Sequence, residues 1–194
     1  MKKLLTLTAS VAALAAFAAP ALADDSNATG SVTVNGSVAG KCVNTGTAPA
    51  ALDVGELARS DNGQVVTQFS TPAGSLIAKF TIICSSAKPT VSISATPLVF
   101  TTGTIPNGYT NTVNYRATVT PYLSDYTANA VSPYVWTGNE SPGVPSTQLT
   151  GALATAQNNI QVTVDHPYTS AGTGNVLMAG NYSGQVTITV SPTS

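Results

Sequence analysis

Residues 76–95, with the sequence LIAKFTIICSSAKPTVSISA, decide the fold class of this chain. Residues 76–84 form an almost continuous apolar run, which is typical of a central strand in a β-sandwich. A turn that contains Pro89 follows this run. Residues 90–95 then alternate apolar and polar side chains, so Val91 and Ile93 share one face of a strand. The stretch therefore predicts two consecutive β-strands.

The same two-residue alternation recurs on both sides of this stretch. It is present in residues 32–38, 113–119, 160–164 and 182–190. Turn-forming residues separate these segments, for example at 61–63, 107–108 and 165–167. No segment shows a sustained helical period, and we expect only a short helical turn within 48–57. About seven short strands, each with one buried face, predict an all-β fold of the β-sandwich type.

The composition supports a folded β domain and excludes several other classes of protein. The chain has 194 residues, of which 43% are hydrophobic and 8% charged, with a formal net charge of −1. Disordered chains are rich in charge and poor in apolar residues, which is the opposite of this composition. The chain has no basic excess to neutralise phosphates, so we expect no nucleic-acid partner. Its length is that of one domain or of two small ones.

The N-terminal residues have the pattern of a secretory signal peptide. Lys2 and Lys3 precede an apolar stretch over 4–19, and residues 21–23, Ala-Leu-Ala, form a small-residue cleavage site. We therefore predict that residues 1–23 are removed on export and that the protein works outside the cytoplasm. An uncleaved membrane anchor is the alternative, although the apolar run is short for a membrane span.

The two cysteines, Cys42 and Cys84, are expected to form a disulfide. An even number of cysteines in an exported chain favours a disulfide, and their spacing is unlike that of a metal site. In the chain-entropy model, closing a loop of about 43 residues stabilises the fold by about 4 kcal/mol. Two buried free thiols are the alternative.

The sequence carries no recognisable catalytic motif. His166 is the only histidine, and the pattern places it in a turn between Asp165 and Pro167. There is no GxSxG nucleophile motif, no GxGxxG loop and no calcium-binding loop. Asp53 and Glu56 are the closest interior carboxylates, but their separation in space does not follow from the sequence. We therefore predict no enzymatic activity, no cofactor, no metal site and no small-molecule substrate.

Aromatic residues are concentrated in one part of the chain. Tyr122, Tyr126, Tyr134 and Trp136 are candidates for an exposed aromatic surface on which a sugar could stack. The alternative is that tyrosines and the tryptophan fill the core and its rim, because Tyr115 is in phase with the valines of its strand.

The segment that precedes Cys42 is the most informative about function. Residues 29–42 read TGSVTVNGSVAGKC, and their alternation places five small or apolar residues on one face, namely Gly30, Val32, Val34, Gly36 and Val38. One interpretation makes this segment the first strand of its own sandwich. The other makes it an arm that adds a strand to the sheet of another subunit.

Four segments together resemble the subunits of archaic chaperone–usher pili and the spore coat protein U domain. They are the TGxVxV arm before Cys42, the stretch LDVGEL at 52–57, the second-cysteine region at 80–95, and AGNYSGQVTITV at 179–190. Residues 191–194 extend beyond the closing strand of the family, and Pro192 predicts that this tail leaves the sheet.

This resemblance implies a fold and a mechanism. The fold is an immunoglobulin-like β-sandwich that lacks one strand, with residues 24–40 as a donor-strand arm and residues 41–194 as the pilin-like domain. A periplasmic chaperone first lends a strand, and an outer-membrane usher then exchanges it for the arm of the next subunit. The five residues of the alternating face, from Gly30 to Val38, would be the donor-strand contacts.

The function implied by the resemblance is that of a structural subunit in a cell-surface fimbrium. Its partners would be neighbouring copies of the same chain, and its roles adhesion or biofilm formation. The alternative is a secreted carbohydrate-binding or adhesin module that folds in cis and uses the aromatic residues. Such a module needs no detachable strand before Cys42.

Overall fold

The structure is a computed structural model, and it describes residues 31–47, 51–70, 76–101, 103–138, 142–170 and 175–193. The predicted signal peptide over 1–23 and Gly30 lie outside these residues. The chain divides into two units, Met1–Ser37 and Val38–Ser194. In the first unit, residues 31–37 belong to no strand or helix and are fully exposed.

All regular structure in the described residues is β-strand, which confirms the predicted all-β class. The twelve strands are β1 (Cys42–Asn44), β2 (Ile77–Phe80), β3 (Ile82–Cys84), β4 (Thr90–Ala95), β5 (Leu98–Val99), β6 (Tyr109–Thr110), β7 (Thr112–Pro121), β8 (Tyr134–Trp136), β9 (Ser146–Gln148), β10 (Ile160–Tyr168), β11 (Val176–Leu177) and β12 (Val186–Ser191). Across the described parts of the chain there is no helix long and apolar enough to cross a membrane.

Two antiparallel sheets form most of the second unit. The larger has the strand order β2-β10-β7-β5, and β8 also pairs with β7. The smaller has the order β12-β4-β9. The remaining strands form two short ribbons, β1 with β3 and β6 with β11. The arrangement is consistent with the predicted β-sandwich.

The core is built from the inward faces of these strands. Over 115–121 in β7 and 160–164 in β10 every second residue is buried, because successive side chains of a strand point to opposite faces of a sheet. The most buried core side chains are Val91, Ile93, Tyr115, Ala117, Val119, Leu149, Ile160 and Val162. The alternation read from residues 113–119 and 160–164 therefore predicts the buried faces correctly.

The predicted central strand over 76–84 differs from the structure in two ways. The segment forms two strands, β2 and β3, and β2 lies at the edge of the larger sheet. Ile77 and Ile83 are 37% and 44% exposed, so the apolar run is not buried on both faces. An apolar run indicates a strand, but its position in the sheet depends on which partners pair with it.

Two other local predictions are wrong. Residues 165–167 are part of β10 and not a turn, because a β-bulge between Asp165 and Tyr168 accommodates Pro167. The described part of the expected helical turn, residues 51–57, contains no helix. Residues 32–38 alternate like a strand but form none with the other described residues, and their role as an arm stays a prediction.

The predicted disulfide is confirmed. Cys42 and Cys84 are bonded, and they are directly opposite each other in the β1–β3 ribbon. The next pair in the same register is Val43 and Ile83. The bond therefore ties the first strand of the second unit to the end of β3.

Candidate functional site: an open apolar groove

A groove of about 1130 Å³ opens beside β12. Both sheets contribute inward-facing apolar side chains to it, and so do the segments 51–58 and 177–185. The lining includes Phe69, Ala78, Phe80, Leu98, Tyr115, Val162, Val164, Val186 and Ile188. The groove thus reaches the residues that form the core of the sandwich.

The strand β12 forms one side of the groove and is incompletely covered. It pairs with β4, and none of the described strands pairs with its other edge. Its inward residues Val186, Ile188 and Val190 are only half-buried, whereas Val162 in β10 is 2% exposed. Within the described part of the chain, this row therefore lies at an unpaired sheet edge.

The floor of the groove contains an aromatic pair. Phe69 and Tyr115 are in edge-to-face contact, with ring centroids 6.3 Å apart. The hydroxyl of Tyr115 donates a hydrogen bond to the carbonyl of Thr96 over 2.9 Å. Burial raises the pKa of Tyr115 to about 12, because an apolar environment disfavours the phenolate. The floor is therefore uncharged at neutral pH.

The segment 51–58 also lines the groove and belongs to neither sheet. Leu52, Val54 and Leu57 pack against the core, and the segment turns at Gly55, whose φ is +74°. Asp53 accepts a hydrogen bond from the Gly55 amide at 2.9 Å. The carboxylate of Glu56 likewise accepts one from the amide two residues later, at 3.1 Å. These two carboxylates therefore stabilise local turns.

The segment 177–185, which precedes β12, also lines the groove. Val99 and Ser183 exchange two backbone hydrogen bonds, of 2.9 and 3.2 Å, which joins this segment to the larger sheet. The Tyr182 hydroxyl donates to the Met178 carbonyl over 2.8 Å, so the segment is a closed loop and not the start of β12. A Cβ at Gly180 would lie 2.5 Å from the Phe100 ring, which leaves no room for a side chain there.

Sequence reasoning missed several of these lining residues. Phe69 belongs to no periodic pattern, and nothing in the sequence associates it with Tyr115. Residues 182–185 alternate as part of a predicted strand over 182–190, but β12 begins at Val186 and these residues lie in the loop before it. Two segments quoted for the family resemblance, LDVGEL at 52–57 and the start of AGNYSGQVTITV at 179–190, do line the groove.

The arm residues predicted as donor-strand contacts are exposed. Val32, Val34 and Val38 are 88%, 89% and 88% exposed, and a Cβ at Gly36 would meet no atom within 4 Å. Solvent-exposed valines in a row are unfavourable in an isolated chain. Their roles as strand contacts stay predictions.

His166 lies in the β10 bulge, on the outer side of the larger sheet. Its Nδ1 is 3.0 Å from Asp165 Oδ1, and its ring meets Trp136 at 5.7 Å. Arg116 donates two hydrogen bonds to Asp165, of 2.8 and 2.6 Å. Partial burial would raise the pKa of Asp165, but the hydrogen bonds and charges of Arg116 and His166 outweigh it, and the pKa is lowered.

The aromatic candidates fall into two pairs. Tyr134 and Trp136 face the same side of β8, and the Arg116 guanidinium lies 5.6 Å from the Trp136 ring. Tyr122 and Tyr126 lie in the turn that follows β7, where Tyr126 is 57% exposed with a φ of +63°. Since Arg116 and His166 already contact the Trp136 ring, the structure favours a packing role for that residue. The aromatic surface as a binding site stays a prediction.

Within the described ranges, no group of three or more histidine, cysteine, aspartate or glutamate side chains could hold a metal ion. Among the described residues the groove is therefore the candidate binding feature, and its lining combines apolar side chains with polar ones such as Asp53, Glu56 and Gln185. No protein-family model, curated protein or solved structure matches this chain.

Proposed function

We propose that this protein is a structural subunit of an extracellular fibre that assembles by donor-strand complementation. The observation that carries the proposal is the open groove beside β12, whose inward residues are only half-buried and whose outer edge has no described partner. A strand placed there would pair with the backbone of β12 and bury Val186 and Ile188. It would thus complete the smaller sheet.

The strand order supports an immunoglobulin-like sandwich that lacks its last strand. In that fold one sheet contains strands B, E and D, and the other contains C, F and G. Here β2, β10 and β7 pair in the order of B, E and D, while β4 and β12 pair as C and F. The free edge of β12 is the edge that strand G would occupy.

The arm has the properties that a donor strand requires. Val32, Val34 and Val38 alternate with polar residues, so one face of an extended arm is apolar. Burying a valine side chain contributes roughly 1.5–3 kcal/mol, which gives a substantial gain when three exposed valines enter a groove. When each copy donates its arm to the next, the contact is heterologous and does not close, so a fibre forms.

The proposed partners and location follow from the resemblance together with the exposed groove. An unpaired edge and an open apolar groove favour aggregation, so the subunit needs protection before assembly. A periplasmic chaperone would provide it, and an outer-membrane usher would exchange that strand for the next arm. We propose that the finished fibre lies on the cell surface, where it serves adhesion or biofilm formation, and that the protein has no enzymatic activity.

Expression in the periplasm with and without residues 24–40 tests this function. The full-length mature chain should form fibres in electron micrographs, and the chain without the arm should form none. A synthetic peptide of residues 28–40 should bind the armless protein and raise its Tm. A stable armless monomer that does not respond to the peptide would favour the carbohydrate-binding alternative.

A further inference from the structure

The root of the arm is firmly attached to the second unit. The Lys41 amide donates to Ser85 Oγ, and the Ser85 amide donates to the Lys41 carbonyl, each over 2.9 Å. The disulfide follows at the next residue. One residue before Lys41, a Cβ at Gly40 would lie 2.9 Å from the Pro192 Cβ, so the backbone there is already in close contact with the end of β12.

Little free chain remains between this root and the apolar face of the arm. Val38 is the last of the alternating valines, and Ala39 alone separates it from Gly40. Two residue steps span at most about 7 Å. If Val38 lies in the groove of another subunit, that subunit must therefore sit directly against the root.

An apolar pair is exposed at this root. Val43 and Ile83 are opposite each other in the β1–β3 ribbon, and they are 42% and 44% exposed. On the same face, Lys41 and Ser85 flank the pair on one side and Thr45 and Thr81 on the other. We call these six residues the root face. Its centre is apolar and its rim is polar, which is the usual composition of a protein–protein contact.

We propose that the root face binds a second copy of this chain, namely the subunit that has accepted the arm. This inference rests on the proposed function, because the short spacer brings the acceptor to the root face only when the arm is inserted. Adjacent subunits then touch body to body, with Val43 and Ile83 buried between them. The fibre is stiff, unlike a string of domains on loose linkers.

Threonine substitutions at the centre of the root face test the inference. Val43→Thr combined with Ile83→Thr keeps the β-branched shape and the disulfide but removes apolar contact. Ile105→Thr is the matched control, since Ile105 is 41% exposed but lies in the loop between β5 and β6. The armless form of the double variant should bind the 28–40 peptide as the wild type does. Its fibres should lose subunits about tenfold faster, as expected for two lost apolar groups.

Two further variants keep the inference testable if the double variant fails to fold. Inserting Gly-Ser-Gly between Ala39 and Gly40 should leave peptide binding intact and give fibres with a shorter persistence length in electron micrographs. A photo-reactive phenylalanine analogue in place of Val43 should crosslink neighbouring subunits in fibres, whereas the same analogue at Ile105 should not.

The root-face proposal would be overturned if the insertion variant formed fibres of normal persistence length. It would also be overturned if position 43 gave no crosslink in wild-type-like fibres. Either result would leave the donor-strand function intact. A wild-type protein that forms no fibre and an armless form that does not respond to the peptide would overturn both proposals. These two sets of results are distinguishable from each other.

Discussion

The side chain of Asn159 completes the backbone hydrogen bonding of Ile82. The Ile82 amide donates to Asn159 Oδ1 over 2.9 Å, and Asn159 Nδ2 donates to the Ile82 carbonyl over 2.6 Å. Asn159 Nδ2 also donates to the Ala154 carbonyl. Asn159 is 1% exposed and immediately precedes β10, so its amide gives Ile82 of β3 the hydrogen bonds that a second neighbouring strand would otherwise supply.

Replacing this residue should destabilise the protein strongly. Asn159→Ala leaves three buried backbone groups without a partner, and each unsatisfied group costs about 1–3 kcal/mol. We expect a loss of about 3–5 kcal/mol in the free energy of unfolding, measured by urea denaturation with the disulfide intact. The control is Asn44→Ala, which removes one exposed hydrogen bond to the Gly46 amide and should cost less than about 1 kcal/mol. Equal losses in the two variants would contradict this account of Asn159.

If the 28–40 peptide binds in the groove, substitutions at neighbouring residues of β12 should differ in their effect on peptide affinity. Ile188 faces the groove, so Ile188→Thr should weaken binding of the 28–40 peptide about tenfold, as expected for lost apolar contact. Thr187 is on the exposed face, and Thr187→Ser should leave peptide affinity unchanged. Isothermal titration on the armless protein measures both affinities. Similar affinities for the two variants would mean that the peptide does not bind along β12.

The arm predicts a similar contrast. Val34→Asp would place a charge without a partner in the groove of the next subunit, and it should therefore block polymerisation. Thr33→Asp, on the opposite face, should be tolerated, because the period of a strand is two. Electron microscopy and sedimentation measure fibre formation. Because the groove of the Val34→Asp protein is intact, the 28–40 peptide should still raise its Tm, and a missing response would argue against donor-strand exchange.

The Arg116–Asp165 pair predicts a pH dependence at low pH. The pKa of Asp165 is lowered in the folded protein. Its carboxylate therefore contributes fully to the free energy of unfolding above the ordinary aspartate pKa of about 3.9, and this contribution is lost as the pH falls through the folded pKa. The Asp165 side chain is 39% exposed, and solvent screening limits the effect to less than about 1 kcal/mol. Asp165→Asn and Arg116→Gln should each flatten the stability profile below pH of about 4. Denaturation at several pH values measures this, and a profile like that of the wild type in both variants would exclude the pair as its cause.

The disulfide predicts a large effect of reduction. Breaking the Cys42–Cys84 bond, which closes a loop with a sequence separation of 42, should lower the free energy of unfolding by about 4 kcal/mol. The double variant Cys42→Ser and Cys84→Ser should behave like the reduced protein. Thermal melts with and without reductant measure the difference, and mass spectrometry should find no free thiol in the exported protein. Equal Tm values in the two conditions would contradict this role.

Local patterns predicted the strands well where each strand has one buried face. The alternation in residues 90–95 corresponds to β4 with the same bounds, and 113–119 lies within β7. The residues Asp165, His166 and Pro167 predict a turn, because these residue types are common in turns. The strand β10 nevertheless continues to Tyr168, since pairing with β7 resumes after the bulge. A bulge depends on the partner strand, so no local pattern predicts it.

Parts of the groove were visible in the sequence, but the groove itself was not. The inward row of β12 follows from alternation, and the exposed apolar face of the arm follows from the positions of its valines. That β12 pairs with β4 on one side alone depends on contacts with residues about a hundred positions away. The meeting of Phe69 with Tyr115 also arises from tertiary packing, because no periodic pattern relates the two.

The sequence by itself determined the all-β class, the faces of the main strands and the pairing of the only two cysteines. The strand faces are a local property, because side chains alternate with a period of two along a strand. The disulfide pairing depends only on the number of cysteines, because two thiols have one way to pair. Tertiary structure decided which strands lie at the sheet edges, that Asn159 replaces a paired strand at Ile82, and that a groove opens beside β12. The reason is that an edge is defined by the absence of a neighbour, and neighbours are set by long-range packing that no local pattern encodes.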